Sequence, residues 1–281
     1  MTNPTEAAAW SASSRRTGAR IGFVPTMGAL HRGHLDLVRQ AKAECDKVVC
    51  SIFVNPLQFN GPADLAKYPR TPQEDTRMLT ELGCDALFSP TKDDLFHDFT
   101  PTKYDLGKLD AHWEGPSRPG HFQGVVNVVE RLFFHVRPDL AYFGEKDRQQ
   151  LMIVQHVGAA LRWPETIVSC PTIRDEDGLA LSSRNTRLNE EEREQALVIN
   201  RALRSVQHVA FKVPFVIAEG RGKELMSDVL GTKVDYFAIA HPVTLEPLRE
   251  WGDLDSAIAL AAARVGPVRL IDNVTLTRER I

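Results

Sequence analysis

Ile21-Gly22-Phe23-Val24-Pro25-Thr26-Met27-Gly28-Ala29-Leu30-His31-Arg32-Gly33-His34 is the stretch that decides the fold. Ile21 to Val24 is a short apolar run closed by Pro25, the pattern of a buried strand ending at a turn. Gly28 and Gly33 follow, and then Leu37, Val38 and Ala41 fall on one helical face. The next apolar run, Val48 to Val54, is closed by Asn55-Pro56. Strand, glycine-bearing turn, helix and strand make a βαβ unit, which implies a parallel sheet.

The alternation continues outward. Thr71 to Gly83 reads as a helix and Ala86 to Phe88 as a short strand. Val125, Val128, Val129, Leu132, Phe133 and Val136 recur at helical spacing, Leu140 to Phe143 is strand-like, Leu151 to Leu161 marks another helix face, and Thr166 to Cys170 a further strand. This order predicts an α/β fold, a Rossmann-type doubly wound parallel sheet over residues 21–171. After Pro171 the pattern changes. A charged helix starts near Glu190, and Val234 to Ala240, Ala257 to Val265 and Val268 to Val274 read as strands, the last two joined by Gly266-Pro267. So short a turn implies antiparallel pairing, hence a smaller C-terminal α+β domain over 172–281. Residues 1–20 carry Ala, Ser, Thr and basic residues without an apolar segment and are expected to be a flexible start.

Composition narrows the function classes. The net charge of −3 over 281 residues gives no global attraction to nucleic acid or to an anionic membrane. No apolar run approaches the ~20 residues that span a bilayer. Cys45, Cys50, Cys84 and Cys170 form no C-x-x-C pair and read as thiols in a reducing, cytoplasmic setting.

Three segments carry candidate ligand chemistry, the first two where ligands bind in an open α/β sheet. Met27 to His34 joins the first strand to the first helix, so its glycines admit a close ligand and the helix N-terminus offers N–H groups to a phosphate. His31 and His34 add donors; an H-x-x-H pair also suits a metal, but no acidic or cysteine partner is near in sequence. Phe143-Gly144-Glu145-Lys146-Asp147 is a second strand-to-helix junction, with Lys146 a candidate phosphate ligand; in isolation the motif reads better as a solvated charged turn. Asp177 to Asn185 offers Ser182, Ser183 and Arg184 on a loop after a glycine. Asn55 and Gln58 after the second strand, and Arg118 to Phe122 before an apolar helix, are polar where a plain core would be apolar, although turn chemistry alone accounts for either.

The Met27–His34 segment carries the H-x-G-H signature of nucleotidyltransferases and class I aminoacyl-tRNA synthetases. Pro25–His34, Phe53–Phe59, Ser117–Val125, Gly144–Gln150 and Asp177–Asn185 together, in this order, resemble the pantothenate synthetase family, with further likeness at Tyr68–Thr71 and Leu270–Asn273. The resemblance implies ATP-dependent joining of pantoate to β-alanine through a pantoyl adenylate, with Mg²⁺, in a homodimer. It implies an ATP site of Met27, Gly28, Ala29, Leu30, His31, Arg32, Gly33, His34, Gly144, Glu145, Lys146, Asp147, Ile173, Leu181, Ser182, Ser183 and Arg184. His31, His34, Lys146 and Ser182 to Arg184 would do the chemistry, with His34 the proton donor. Gln58 and Gln150 would bind pantoate, helped by Asn55 and His121, and Glu74 and Asp75 are the carboxylates considered for the metal. Arg148 stands where the family usually has an aromatic residue, and is expected to face solvent. The alternative is another H-x-G-H adenylyl-transferring enzyme with a different small acceptor; it should lack the Gln58 and Gln150 pair.

Overall fold

The computed structural model describes residues 1–59 and 61–279. The chain divides into two compact units, Met1–Glu145 with Gln149–Pro171, and Lys146–Arg148 with Thr172–Ile281.

The first unit is built on five strands, β1 (Ile21–Thr26), β2 (Lys47–Ile52), β3 (Ala86–Phe88), β4 (Leu140–Gly144) and β5 (Thr166–Cys170). They lie in the order β3-β2-β1-β4-β5, and every pair is parallel. Gly22 of β1 is in register with Val48 on one side and Leu140 on the other. The strand order reverses between β1 and β4, and the crevice outside the carboxyl ends of those two strands is where such sheets take ligands.

Alternate side chains go to opposite faces. Ile21, Phe23, Val49, Ala141 and Phe143 join one core with Val125, Val128, Val129, Leu132 and Phe133 of the helix His121–Val136. Val24, Val48, Cys50, Leu140 and Tyr142 join another with Val38 and Ala41 of the helix Arg32–Glu44 and Leu79 of the helix Pro72–Glu81. The valines of His121–Val136 are poor helix formers, by up to about 0.7 kcal/mol each. Burial of each is worth roughly 1.5–3 kcal/mol, so packing on the sheet decides the helix.

Residues 1–20 are not the loose start that composition suggests. Pro4–Arg16 is a helix, capped where the Asn3 side chain accepts the Glu6 N–H at 2.9 Å, with Pro4 in its first turn. Its small face buries Ala7, Ser11 and Ser14, and Ala7 and Trp10 join the first core. The helix lacks a large apolar stripe, so hydrophobic periodicity passes over it; the Asn-Pro cap is its sequence signal.

The second unit carries β6 (Thr232–Ala240), β7 (Ser256–Val265) and β8 (Val268–Thr277), antiparallel in that order. Val265 pairs with Val268 across the tight turn. The helix Glu190–Val209, opened by an Asn189–Glu192 capping box, buries Ala196, Ile199, Leu203 and Val206 against this sheet. A helix that periodicity did not show, Phe215–Ser227, adds Phe215, Ala218 and Met226 to the same core. Its pattern is blurred by Val216 and Ile217, which are exposed.

Candidate active site

The loop after β1 is shaped by a carboxylate from elsewhere in the first unit. Asp75, 1% exposed in the first turn of Pro72–Glu81, accepts the N–H of Leu30 at 2.8 Å and of Ala29 at 3.0 Å. Thr71 Oγ1 donates to the same carboxylate at 3.0 Å. Ala29 takes φ 48° and Gly28 φ 79°. A Cβ on Gly28 would stand 2.9 Å from Ile52 Cγ2 and 3.0 Å from Asp75 Oδ2, so glycine is required twice over, by φ and by space. The chain then enters Arg32–Glu44 through His31, in extended conformation, with the two histidine rings 4.0 Å apart. His34 Nδ1 accepts the His31 backbone N–H at 3.4 Å. A neutral His34 therefore carries its proton on Nε2, the atom that can donate to a ligand oxygen.

A second cluster of the same unit surrounds Gln58. Asn55, 1% exposed, donates from Nδ2 to Gln58 Oε1 at 3.1 Å and to the Gly124 carbonyl at 3.0 Å, while its Oδ1 accepts the Leu57 N–H at 3.1 Å. With Gln58 Oε1 so held, Nε2 lies 3.0 Å from Met27 Sδ, a weak acceptor, and keeps donor capacity for a carboxylate or hydroxyl. The backbone carbonyl of Gln58 accepts from His121 Nδ1 at 2.8 Å and from Arg118 Nη2 at 3.3 Å. Arg118 Nη1 meets His121 Nε2 at 3.1 Å. Since guanidinium can only donate, His121 is neutral with its proton on Nδ1. Gly124 lets the helix approach this turn: a Cβ there would meet the Leu57 carbonyl oxygen at 2.2 Å.

Asn55 and His121 are therefore buried positioning groups around Gln58, with their hydrogen-bonding atoms engaged by the chain itself. The adjacent Gln149 and Gln150 also divide. Gln149, 5% exposed, donates to the carbonyls of Leu109 at 2.7 Å and His112 at 2.8 Å and accepts the Glu114 N–H at 3.0 Å. Gln150 is only partly buried at the start of the helix Arg148–Leu161. Gln149 has no role in the sequence reading, and Arg118 appears there only as part of a polar turn; adjacent glutamines on a helix point about 100° apart, so the two face different surroundings.

Gly144 ends β4, and Glu145 Oε1 accepts from Ser169 Oγ at 2.7 Å. In the second unit, Lys146, with 18% of its side chain exposed, lies 3.8 Å from the Asp147 carboxylate. Arg148 departs from the solvent-facing expectation. It is partly buried, with Nε 3.5 Å from Asn273 Oδ1 and Nη2 3.4 Å from Thr275 Oγ1, because β8 offers it two polar side chains on one face.

Ile173 and Leu181 pair across a small hairpin, Leu181 N–H to Ile173 carbonyl at 3.0 Å, and Arg174 bridges Ala180. Arg193 clamps the turn through Asp175 at 2.8 Å and Asp177 at 2.6 Å. Burial pushes the Asp177 carboxyl up, but the Leu179 N–H and Arg193 outweigh it and hold it below the usual carboxylate range. The hairpin delivers Ser182, whose Oγ accepts the Arg184 N–H at 3.3 Å, and the buried Ser183.

The carboxylates considered for a metal do not fit one. Both oxygens of Asp75 are engaged by the loop it holds, and Glu74 is exposed and paired with Arg77 at 2.5 Å. Among the described residues no group of three His, Cys, Asp or Glu side chains could hold a metal ion.

The β3-β2-β1-β4-β5 parallel sheet, with an H-x-G-H loop at the carboxyl end of its central strand, defines a Rossmann-type α/β protein of the H-x-G-H class. The family model described as pantoate-beta-alanine ligase matches residues 1–275. A pantothenate synthetase of Porphyromonas gingivalis is 45% identical over 268 residues, covering 94% of each chain. One of Thermus thermophilus is 48% identical over 256 residues, covering 90% of this chain and 92% of its own. A crystal structure of pantothenate synthetase from Thermus thermophilus superposes with a TM-score of 0.92 at 44% identity, covering 99% of each chain. That of Francisella tularensis pantoate-beta-alanine ligase, complexed with beta-gamma ATP and beta-alanine, gives 0.80 at 35% identity, covering 98% of this chain and 96% of that one. The chain belongs to the pantoate–β-alanine ligase family.

Proposed function

We propose that this chain condenses pantoate with β-alanine at the expense of ATP. A pantoate carboxylate oxygen attacks the α-phosphorus and pyrophosphate leaves. The β-alanine amine then attacks the acyl carbon of the pantoyl adenylate, AMP leaves, and the amine gives up a proton. The observation that carries this reading is the family match along residues 1–275.

The residues suit those steps. Charge builds on phosphoryl oxygens as the adenylate forms, and preorganised donors stabilise it. The donors assigned are His34 through Nε2, His31, Lys146, Ser182, Ser183 and Arg184. Met27 to Arg32, Gly33, Gly144, Glu145, Asp147, Ile173 and Leu181 line the nucleotide. Gln58 and Gln150 hold pantoate; a carboxamide binds carboxylate and hydroxyl without adding charge. Asn55 and His121 act through Gln58. Excluding water protects the adenylate from hydrolysis, which suits a hairpin that brings Ser182 to Arg184 to the phosphates.

Mg²⁺ belongs to the reading as an ion accompanying the ATP phosphates, since no carboxylate cluster among the described residues fits it. A homodimer and a cytoplasmic setting are part of the same proposal. The setting is supported by four free cysteines. No helix of the described residues is long and apolar enough to cross a membrane. The adenylate route is tested with pantoate labelled with ¹⁸O in its carboxylate. One labelled oxygen should appear in AMP; label found in phosphate or pyrophosphate instead would overturn the route.

A further inference from the structure

We propose that Asp272 and Asn273 of β8 are positioning residues for the ATP-handling groups of the second unit. Asp272 acts through Arg174 on the hairpin that leads to Ser182–Arg184, and Asn273 acts through the backbone carbonyl of Lys146. The inference rests on the ATP roles assigned above to Lys146 and Ser182–Arg184.

Val268, Leu270, Asp272, Val274 and Leu276 form one row of β8, and all but Asp272 join the apolar core of the unit. A charged residue 5% exposed in that row breaks the strand's own pattern. Local rules broken in this way mark functional constraint. The carboxylate is matched by the Arg174 fork, Nη1 to Oδ2 at 2.6 Å and Nη2 to Oδ1 at 2.9 Å. A buried ion pair is weak as a source of stability, since apolar residues of the same volume serve as well or better. What a bidentate pair supplies is direction. Arg174 in turn donates to the Gly178 carbonyl at 3.2 Å and bridges Ala180, so the fork fixes the hairpin two residues before Ser182.

Asn273 stands on the other face of the strand, also 5% exposed. Its Nδ2 donates to the Lys146 carbonyl at 2.9 Å, and its Oδ1 receives Arg148 Nε at 3.5 Å. Adjacent residues of one strand thereby hold both phosphate-directed segments of the unit. Groups held to fractions of an ångström by such supports are what a reacting phosphoryl group requires.

The test measures steady-state constants and calorimetric ATP binding for Asp272→Asn and Asn273→Ala, with Asp235→Asn, at an ion pair to Arg269, as control. Each positioning variant should lose about tenfold in kcat/KM for ATP, with KM for pantoate within about twofold of the unmodified protein. The Asp272→Asn loss should vanish in an Arg184→Ala background, and the Asn273→Ala loss in a Lys146→Ala background, because coupled residues are not additive. Additive losses, or lower melting temperature with unchanged constants, would overturn the inference. Arg174→Lys, which keeps charge and loses the fork, carries the Asp272 arm if Asp272→Asn does not fold. An unmodified protein that makes no pyrophosphate defeats the functional reading instead, and ATP binding then decides the positioning: weakened binding in these variants supports it, unchanged binding overturns it.

Discussion

The Asp75 carboxylate accepts the backbone N–H of Leu30 at 2.8 Å, tying the H-x-G-H loop to a helix 45 residues further along the chain. Gly28 and Ala29 of the loop both take positive φ, and their N–H groups donate to side chains, Gly28 to Thr26 Oγ1 at 3.2 Å and Ala29 to Asp75 Oδ2 at 3.0 Å. This acidic side chain supplies what a strand or helix would otherwise supply. Asp75 thus belongs to the candidate site as its scaffold.

Asp75→Ala removes the acceptor of the buried Leu30 N–H and of the part-buried Ala29 N–H. Unmet donors cost about 1–3 kcal/mol each, so the variant should lose about 2–4 kcal/mol in urea unfolding. Its kcat should also fall, because His31 and His34 follow directly on the loosened loop.

Asn55→Ala removes the donor that fixes the Gln58 carboxamide and the side-chain bond that ties this turn to the Gly124 carbonyl. KM for pantoate should rise by about tenfold, the effect of roughly 1.4 kcal/mol, with KM for ATP little changed. Steady-state kinetics with each substrate varied in turn separates this from a general loss of structure, which would move both.

Glu74→Gln breaks an exposed contact to Arg77 and touches neither the loop nor the Asp75 network. Activity as a function of Mg²⁺ concentration should superimpose on that of the unmodified protein. A shifted Mg²⁺ requirement would reinstate Glu74 as a ligand.

His135 is buried near the end of His121–Val136, its Nε2 without a hydrogen-bond partner among the described residues. Burial, then the Arg131 charge, push it down to about 4, against weaker support from Asp98; Arg137 adds to the depression. The unfolded chain, near 6.5, binds the proton more readily, so stability is fully present above pH 6.5 and is lost as pH falls towards 4. Between pH 7 and pH 5 the loss should be about 1–2 kcal/mol. His135→Leu should remove that part of the slope in urea melts at the two pH values.

Much of the fold is legible in the sequence. The run Ile21–His34 shows β1, the loop and the helix after it, because a buried parallel strand must be apolar and its turn must be glycine-bearing. The helix Pro4–Arg16 does not show, since its buried face is Ala and Ser. Phe215–Ser227 is hidden because Val216 and Ile217 place apolar residues on its exposed side. Within the candidate site, residue types single out segments in the sequence but do not show which side chains hold one another in place. Asn55, His121 and Asp75 look like ligand-binding groups in sequence, and only long-range hydrogen bonds show that they hold other residues in place. Asp272 is readable in principle as the one charged residue in an apolar strand row, a signal visible once the register of β8 is known.

Condensation of pantoate with β-alanine is tested most directly by mixing the purified protein with Mg-ATP and pantoate and following pyrophosphate, with and without β-alanine. Sustained release of pyrophosphate and AMP in equal amounts should occur only with β-alanine present, and at most one enzyme-bound turnover without it. Sustained release without the amine, or silence with all three substrates from a folded protein that binds ATP, would contradict it.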